Sequence, residues 1–409
     1  MDKERMKCLV QDSQAVSVRF PRIMIAAEKS GGGKTLFTCA LLSLLKEKIQ
    51  EVRAFKCGPD YIDPMFHRTV LEIPSRNLDS FFADGDTLRY LLGREVLEME
   101  KFPESRIAVL EGVMGFYDGL GGVSERSSAW EVADLTDTPV ILLVDMMGRS
   151  LSALASIKGF LDYKEKSHVT GVVFNRLSPM LYPGLKERAE RELGIRVFGY
   201  VPELKDMTLE SRHLGLVMPE EILGIRERLD LIKEKVRVGI NLDGIIEEAG
   251  RAAEIEVKLP EAVRQFCNVD CGTGIKKTVV AVAKDEAFCF YYEDNLDILR
   301  KLGAEIQYFS PIHDRNLPVE TCAVYLGGGY PELHAKALSE NISMRNAIRQ
   351  AVMEEMPCIA ECGGYLYLKD SIVDPDGVEW PMAGVLPGSS RDTGKLGRFG
   401  YITVTSKKE

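Results

Sequence analysis

The chain has 409 residues, 45% hydrophobic and 28% charged, with a formal net charge of −10; that is enough for two soluble domains, and it is the wrong sign for broad attachment to nucleic acid or an anionic membrane. No apolar run approaches the ~20 residues that span a bilayer, and Met1–Phe20 is too polar for a secretory signal peptide, so the expected compartment is the cytoplasm. Nine cysteines, an odd number scattered along the sequence, do not describe a disulfide framework.

The first strong element is the apolar run Ile23-Met24-Ile25-Ala26-Ala27, followed by Glu28-Lys29-Ser30-Gly31-Gly32-Gly33-Lys34-Thr35 and a helical stretch Leu36–Lys48. Strand, glycine loop and helix in this order make a P-loop. Ser30, Gly31, Gly32 and Gly33 let backbone N–H groups wrap a phosphate chain, Lys34 reaches the outer phosphates, and Thr35 holds Mg²⁺ at the start of the helix. ATP and Mg²⁺ are therefore the expected ligands. The strict pattern wants glycine at position 28, where this chain has Glu28.

Apolar runs then alternate with helical stretches, at Val52–Lys56, Ile107–Glu111, Val140–Asp145, Gly171–Asn175 and Val197–Tyr200. Such alternation means a parallel sheet with flanking crossover helices, whose ligands gather at the carboxyl ends of the strands. After the second run, Lys56-Cys57-Gly58-Pro59-Asp60-Tyr61-Ile62-Asp63-Pro64 sets Asp60 and Asp63 three residues apart in a proline-stiffened loop; they read either as part of a metal-and-phosphate site or as turn caps. Glu111 ends the third run where a Walker-B-type acid meets Mg²⁺, which gives Thr35, Asp60 and Glu111 as the expected metal ligands. Asp118, deeper in Gly112–Gly119, either organises a substrate carboxylate or a second metal contact, or is a solvated loop acid. Asn175 also ends a strand, where its amide is placed to read an adenine edge. Ser211-Arg212-His213 faces substrate or caps a turn, and the sequence does not separate the two.

Amphipathic stretches at Glu220–Lys235 and Gly239–Ala253 close the first domain, residues 1–253. Periodicity weakens over 254–276, a linker in which Cys267 and Cys271 read as ordinary thiols, because no Cys/His pair follows at zinc-site spacing. A second α/β domain, 277–409, opens with strand Thr278–Ala283, helix Glu293–Leu302, strands Glu305–Phe309 and Cys322–Leu326, and helix Ser343–Glu355. Its chemistry lies in two turns. Tyr325–Glu332 carries Gly327, Gly328 and Gly329 as oxyanion donors, and Pro357–Tyr367 places Cys362 after a short apolar run and before two glycines, the form of a nucleophile turn.

The P-loop, Gly58–Pro64, Asn77-Leu78-Asp79, Glu111–Gly119, Asn175-Arg176, Tyr200–Glu203, Ser211–Gly215 and the Cys362 turn occur in an order that resembles the cobyrinic acid a,c-diamide synthases, cobalamin-pathway enzymes with a fused class I glutamine amidotransferase domain. The resemblance covers nearly the whole chain. It implies a dethiobiotin synthetase-like domain followed by a glutaminase, and ATP-dependent amidation of the a and c carboxylates of cobyrinic acid or a related tetrapyrrole, with glutamine as nitrogen donor and a protected path for ammonia. Asp60, Asp63, Glu111, Asp118 and Cys362 are the implied catalytic residues, and Tyr61 and Gly327–Gly329 the substrate contacts. No nucleic acid or membrane partner is expected, and a homodimer is the one protein partner considered. Hydrogenobyrinic acid and nickel sirohydrochlorin are alternative macrocycles. Lys29, where partitioning ATPases with a deviant P-loop carry their signature lysine, supports a competing regulatory-ATPase reading. Class I glutaminases place a histidine base near the C-terminus, whereas the histidines here are 67, 168, 213, 313 and 334. The domain is thus expected to lack its C-terminal end, and glutamine use to be weakened by on the order of 10²- to 10⁴-fold.

Overall fold

The computed structural model describes residues 15–97, 106–204, 219–261, 263–264, 278–391, 393 and 400–405. The chain divides into two compact units, residues 1–261 with 400–409, and residues 262–399.

The strands of the first unit are β1 (Val16–Val18), β2 (Arg22–Ala27), β3 (Glu51–Cys57), β4 (Ser75–Leu78), β5 (Arg106–Glu111), β6 (Val140–Asp145), β7 (Val169–Asn175), β8 (Arg196–Val201) and β9 (Ile255–Val257). Among the described residues, β2 to β8 form an all-parallel sheet in the order β4-β3-β5-β2-β6-β7-β8, and β1 pairs antiparallel with β9. Every residue of β2, β5 and β6 is buried, because helices cover both faces of such a sheet and its central strands must be apolar throughout. From β2 the chain turns to one side for β3, β4 and β5, and then to the other for β6, β7 and β8. The carboxyl end of β2 is therefore a switch point, where this class of sheet opens a ligand crevice. Ile23 and Ile25 of β2 pack with Phe37 and Leu41 of helix Lys34–Lys48 and with Ile232 and Val236 of helix Pro219–Gly239.

One pair of expected helices shifts in its bounds, and one strand was not expected. The stretches Glu220–Lys235 and Gly239–Ala253 form helices Pro219–Gly239 and Leu242–Gly250. They break because Ile240 bridges antiparallel to Gly199 and Asn241 caps the second helix, its side chain accepting from the Gly244 N–H at 2.9 Å. The sequence also did not announce β4, Ser-Arg-Asn-Leu, which has no apolar run and is a strand through its pairing with β3, Ala54 opposite Ser75. Ser211–Gly215, Cys267 and Cys271 lie outside the described residues.

The second unit has β10 (Thr278–Ala283), β11 (Ala304–Phe309), β12 (Thr321–Leu326), β13 (Cys358–Ala360), β14 (Lys369–Val373), β15 (Glu379–Pro381) and β16 (Leu386–Arg391). A parallel sheet β11-β10-β12-β13 carries the core, and β15-β14-β16 form a small separate sheet. Phe288, Val324, Leu326, Leu338, Ile348 and Tyr367 fill the centre. Cys39 and Cys57 are buried free thiols, whereas Cys322 and Cys362 are exposed free thiols. No helix among the described residues is long and apolar enough to cross a membrane.

Arg22 opens β2 and is 0% exposed; its guanidinium donates to Thr136 O at 3.0 Å and Asp137 O at 3.0 Å. Arg22→Ala leaves these carbonyls without a charged donor and is expected to cost about 2–4 kcal/mol of stability, measured by urea unfolding.

Candidate active site

The P-loop leaves β2 at Ala27, and its glycines are used. Gly31 and Gly33 have φ of 70° and 90°, a left-handed conformation that side chains disfavour, and a Cβ on Gly33 would lie 2.4 Å from Asn175 Nδ2. That amide donates to Gly32 O at 2.9 Å, so Asn175 in this structure braces the loop. Lys34 is 8% exposed, and its ammonium donates to Lys29 O at 3.3 Å and to Met114 O. Burial, and then the charge of Lys56, lower its pKa to about 8.

Beside the loop lies a charge cluster that the sequence showed only in part. β3 and β5 set Lys56 directly opposite Glu111. The Lys56 ammonium lies 2.6 Å from Asp63 Oδ2, 2.8 Å from Glu111 Oε1 and 3.9 Å from Asp60 Oδ2, and Thr35 Oγ1 donates to Glu111 Oε1 at 2.8 Å and reaches Asp63 Oδ2 at 3.3 Å. Burial alone would discharge Lys56, but Glu111, Asp63 and Asp60 outweigh it and hold its pKa above the ordinary lysine value. Burial raises Asp63 as well, and there the Lys56 charge and hydrogen bond win, so Asp63 stays below its usual value. Glu111, 0% exposed, is pushed up by burial and by Asp63 to about 7.

Asp60 and Asp63 therefore divide the two roles read for them. Asp60 Oδ1 accepts from Ile62 N at 2.8 Å and Asp63 N at 3.2 Å, capping the helix Ile62–Thr69, with Tyr61 half-buried at the cap position. Asp63 is the acid brought to Thr35. Asn77 Nδ2 donates to Gly58 O at 3.0 Å and Asp60 O at 2.6 Å, which fixes the loop from β4. Asp118 is exposed, and its carboxylate accepts from Gly115 N at 2.9 Å. Glu28 fills the place of the missing glycine as a strut, accepting from Arg149 Nη1 at 2.7 Å and Asp145 N at 3.3 Å. Lys29 Nζ lies 3.4 Å from Asp145 Oδ2 of its own chain, and Arg176 Nε donates to the same carboxylate at 2.8 Å. Beyond β6 to β8 opens a cavity of about 370 Å³ lined in part by Met146, Arg149, Arg176, Leu177 and Glu203.

Sequence reasoning assigned no role to Lys56 or His67. The signal for Lys56 was a charge inside the apolar run Ala54-Phe55-Lys56-Cys57; that for His67 was its place four residues after Asp63 on one helix.

In the second unit Leu326 pairs with Ala360, so the glycine turn after β12 and the cysteine turn after β13 lie side by side. A Cβ on Gly328 would stand 3.5 Å from Cys362 Cβ. Cys362 is exposed, with φ 48° and ψ −110°, a strained backbone of the kind kept at functional turns. The helix after it is only five residues, Gly363–Tyr367. Gly327 N donates to Tyr291 OH at 2.8 Å, so this amide is already engaged; Gly328 and Gly329 are the other two positions of the expected donor set. His313 Nε2 sits 3.0 Å from Glu286 Oε1, and this hydrogen bond raises its pKa. Among the described residues no histidine is hydrogen-bonded to Cys362.

A P-loop unit with a carboxylate–lysine cluster, followed by a unit with a cysteine turn, defines a glutamine-dependent amidating ligase. Residues 23–217 match the CobQ/CobB/MinD/ParA nucleotide binding domain, and residues 279–408 match the CobB/CobQ-like glutamine amidotransferase domain. The cobyrinate a,c-diamide synthase of Thermoplasma volcanium is 38% identical over 95% of this chain and 82% of its own length, that of Listeria innocua 39% over 95% and 83%, and that of Priestia megaterium 35% over 94% and 81%. The chain belongs to the cobyrinate a,c-diamide synthase family.

Two outcomes are expected of the first unit. Lys56→Met strands Asp63 and Glu111 without their buried cation and should lower stability by about 3–5 kcal/mol, read by denaturant unfolding. Bound phosphate favours the charged form of Lys34, whose pKa in the free protein is about 8. Nucleotide binding should therefore take up a proton and weaken as pH rises from about 7 to 9. Titration calorimetry in buffers of different ionisation enthalpy checks this, and a pH-independent Kd with no proton uptake contradicts it.

Proposed function

We propose that the first unit activates the a and c carboxylates of cobyrinic acid with ATP and that the second releases ammonia from glutamine to displace the phosphate. The observation that carries this reading is the convergence of Thr35, Asp63, Glu111 and Lys56 beside the P-loop. A carboxylate is a poor electrophile, and the cluster lies where the transferred phosphoryl group would sit next to a lysine and hard oxygen ligands.

Among the described residues no three His, Cys, Asp or Glu side chains are arranged to hold a metal by themselves. Mg²⁺ is ordinarily held by one or two carboxylates with phosphates and waters, and the oxygen donors gathered at Thr35, where Glu111 Oε1 and Asp63 Oδ2 meet its hydroxyl, fit that habit. When bound, Mg²⁺ would neutralise charge on the phosphate oxygens. Lys34 is placed to follow the outer phosphates, and the P-loop glycines give backbone access to the phosphate chain. The cavity beyond β6 to β8, lined in part by Arg176, is the proposed place for the adenosine end, and Asn175 holds the P-loop at Gly32 O. Tyr61, on the loop after β3, is the proposed contact for the carboxylate of the macrocycle, Asp60 caps the helix that carries Asp63, and Asp118 orders its own loop through Gly115 N.

In the second unit Cys362 would attack the glutamine amide, form a thioester and release ammonia. The amides of Gly328 and Gly329 are the proposed donors to the developing oxyanion.

The test is mass-resolved product formation from cobyrinic acid with ATP and Mg²⁺, comparing glutamine with ammonium chloride at mildly alkaline pH. Cys362→Ser should lose whatever product glutamine supports while keeping ammonium-supported product within about twofold, and Lys34→Ala should lose both, by about 10²-fold or more. Product that survives Lys34→Ala would sink the carboxylate-activation step. Absence of product from either donor, with turnover of hydrogenobyrinic acid or nickel sirohydrochlorin, would move the reading to another macrocycle.

A further inference from the structure

His67 is fully buried, yet it faces polar groups rather than packing as an apolar filler. It lies on helix Ile62–Thr69, one turn beyond Asp63, so both side chains leave the same face of that helix. Its Nδ1 is 3.1 Å from Ser75 Oγ on β4. Its Nε2 is 3.7 Å from Glu111 Oε2. These last two atoms are both buried and without a hydrogen-bond partner, although native interiors rarely leave such groups unpaired.

A neutral imidazole has a single N–H, and the partner of one nitrogen decides where it sits. The Ser75 hydroxyl can donate to Nδ1 or accept from it, whereas a carboxylate oxygen accepts, so the open Oε2 of Glu111 beside Nε2 favours the proton on Nε2 with Ser75 donating to Nδ1. At 3.7 Å this is not yet a hydrogen bond, and closing by less than ~1 Å makes one of ordinary length. The other oxygen, Oε1, already accepts from Thr35 and Lys56, each at 2.8 Å. One oxygen of Glu111 thus faces the nucleotide site and the other faces the imidazole.

We propose that His67 is the positioning residue for Glu111: the Ser75–His67 pair fixes the Nε2–H tautomer, and this N–H holds Oε2 so that Oε1 stays turned to Thr35 and Lys56. The inference rests on the reading of Glu111 as the acid of the nucleotide site. One short helix would then supply both Asp63 for Lys56 and the imidazole that aligns Glu111.

Four single variants of the full chain and one double variant test it, the single ones being His67→Leu, His67→Gln, Ser75→Ala and Glu111→Gln. His67→Leu should lower ammonium-supported kcat by about 10- to 100-fold, the usual effect of removing a group that orients a ligand, with the KM for the macrocycle unchanged. It should also raise the Mg²⁺ concentration needed for half-maximal binding of a non-hydrolysable ATP analogue. His67→Gln, whose amide N–H can replace Nε2–H, should recover most of both losses, and Ser75→Ala should shift both in the same direction as His67→Leu but less. The double variant His67→Leu/Glu111→Gln should be no worse than Glu111→Gln alone. Nitrogen NMR of labelled histidine, assigned by the loss of a signal in His67→Gln, should show the Nε2–H tautomer in the unmodified protein.

The proposal is overturned if His67→Leu lowers only unfolding stability and leaves Mg²⁺ dependence unchanged, if its effect adds to that of Glu111→Gln, or if the ring carries its proton on Nδ1. If Glu111→Gln itself leaves nucleotide binding, Mg²⁺ dependence and turnover intact, the assignment of Glu111 fails, and the role of His67 falls with it.

Discussion

The nucleotide site depends on one buried ammonium. Asp60, Asp63 and Glu111 all approach Lys56, and three carboxylates this close would repel one another strongly in a medium of low dielectric constant. Lys56 makes their neighbourhood tenable, and they in turn keep Lys56 charged despite its burial. The pairing is written into the sheet. Lys56 and Glu111 are opposite partners in the β3–β5 register, and a slip of one residue would send one of the two side chains to the other face. Strand register, ion pair and site geometry are therefore a single constraint.

The second unit reaches a comparable rigidity by opposite means. It omits side chains. A Cβ on Gly364 would stand 2.2 Å from Leu326 O and one on Gly329 2.0 Å from Ala287 O, distances no real side chain tolerates. The cysteine turn presses on the end of β12 at Leu326 and the glycine turn on the backbone at Ala287, because only hydrogen separates them. Where the first unit fixes its functional groups by charge, the second fixes its nucleophile by close backbone approach.

What could be read in advance follows from how each element is stabilised. β2, β5 and β6 were legible because a strand covered on both faces must be apolar from end to end, and the expected runs match the observed bounds to within one residue. β4 was not, since an edge strand of four mixed residues takes its conformation from its neighbour and leaves no pattern of its own. The two closing helices were legible as separate stretches, and only their bounds shifted, because Ile240 bridges to Gly199 and Asn241 caps the second helix. Glu111 was legible from its place at a strand end. The division of labour between Asp60 and Asp63 was not, because helix capping and charge pairing ask for the same residue type. Lys56 and His67 escaped for a shared reason: nothing adjacent to either in sequence names its partner, and only the tertiary fold brings Glu111 to both.

The thiols carry a practical consequence. Cys39 and Cys57 lie in the interior of the first unit, and burial raises their pKa values, so they are poor targets for electrophiles while the fold holds. Cys362 and Cys322 are open to solvent. Among the described residues an alkylating glutamine mimic therefore meets two exposed sulfurs, only one of them on a strained turn beside a glycine loop, and the order in which they are modified separates recognition of the mimic from simple exposure.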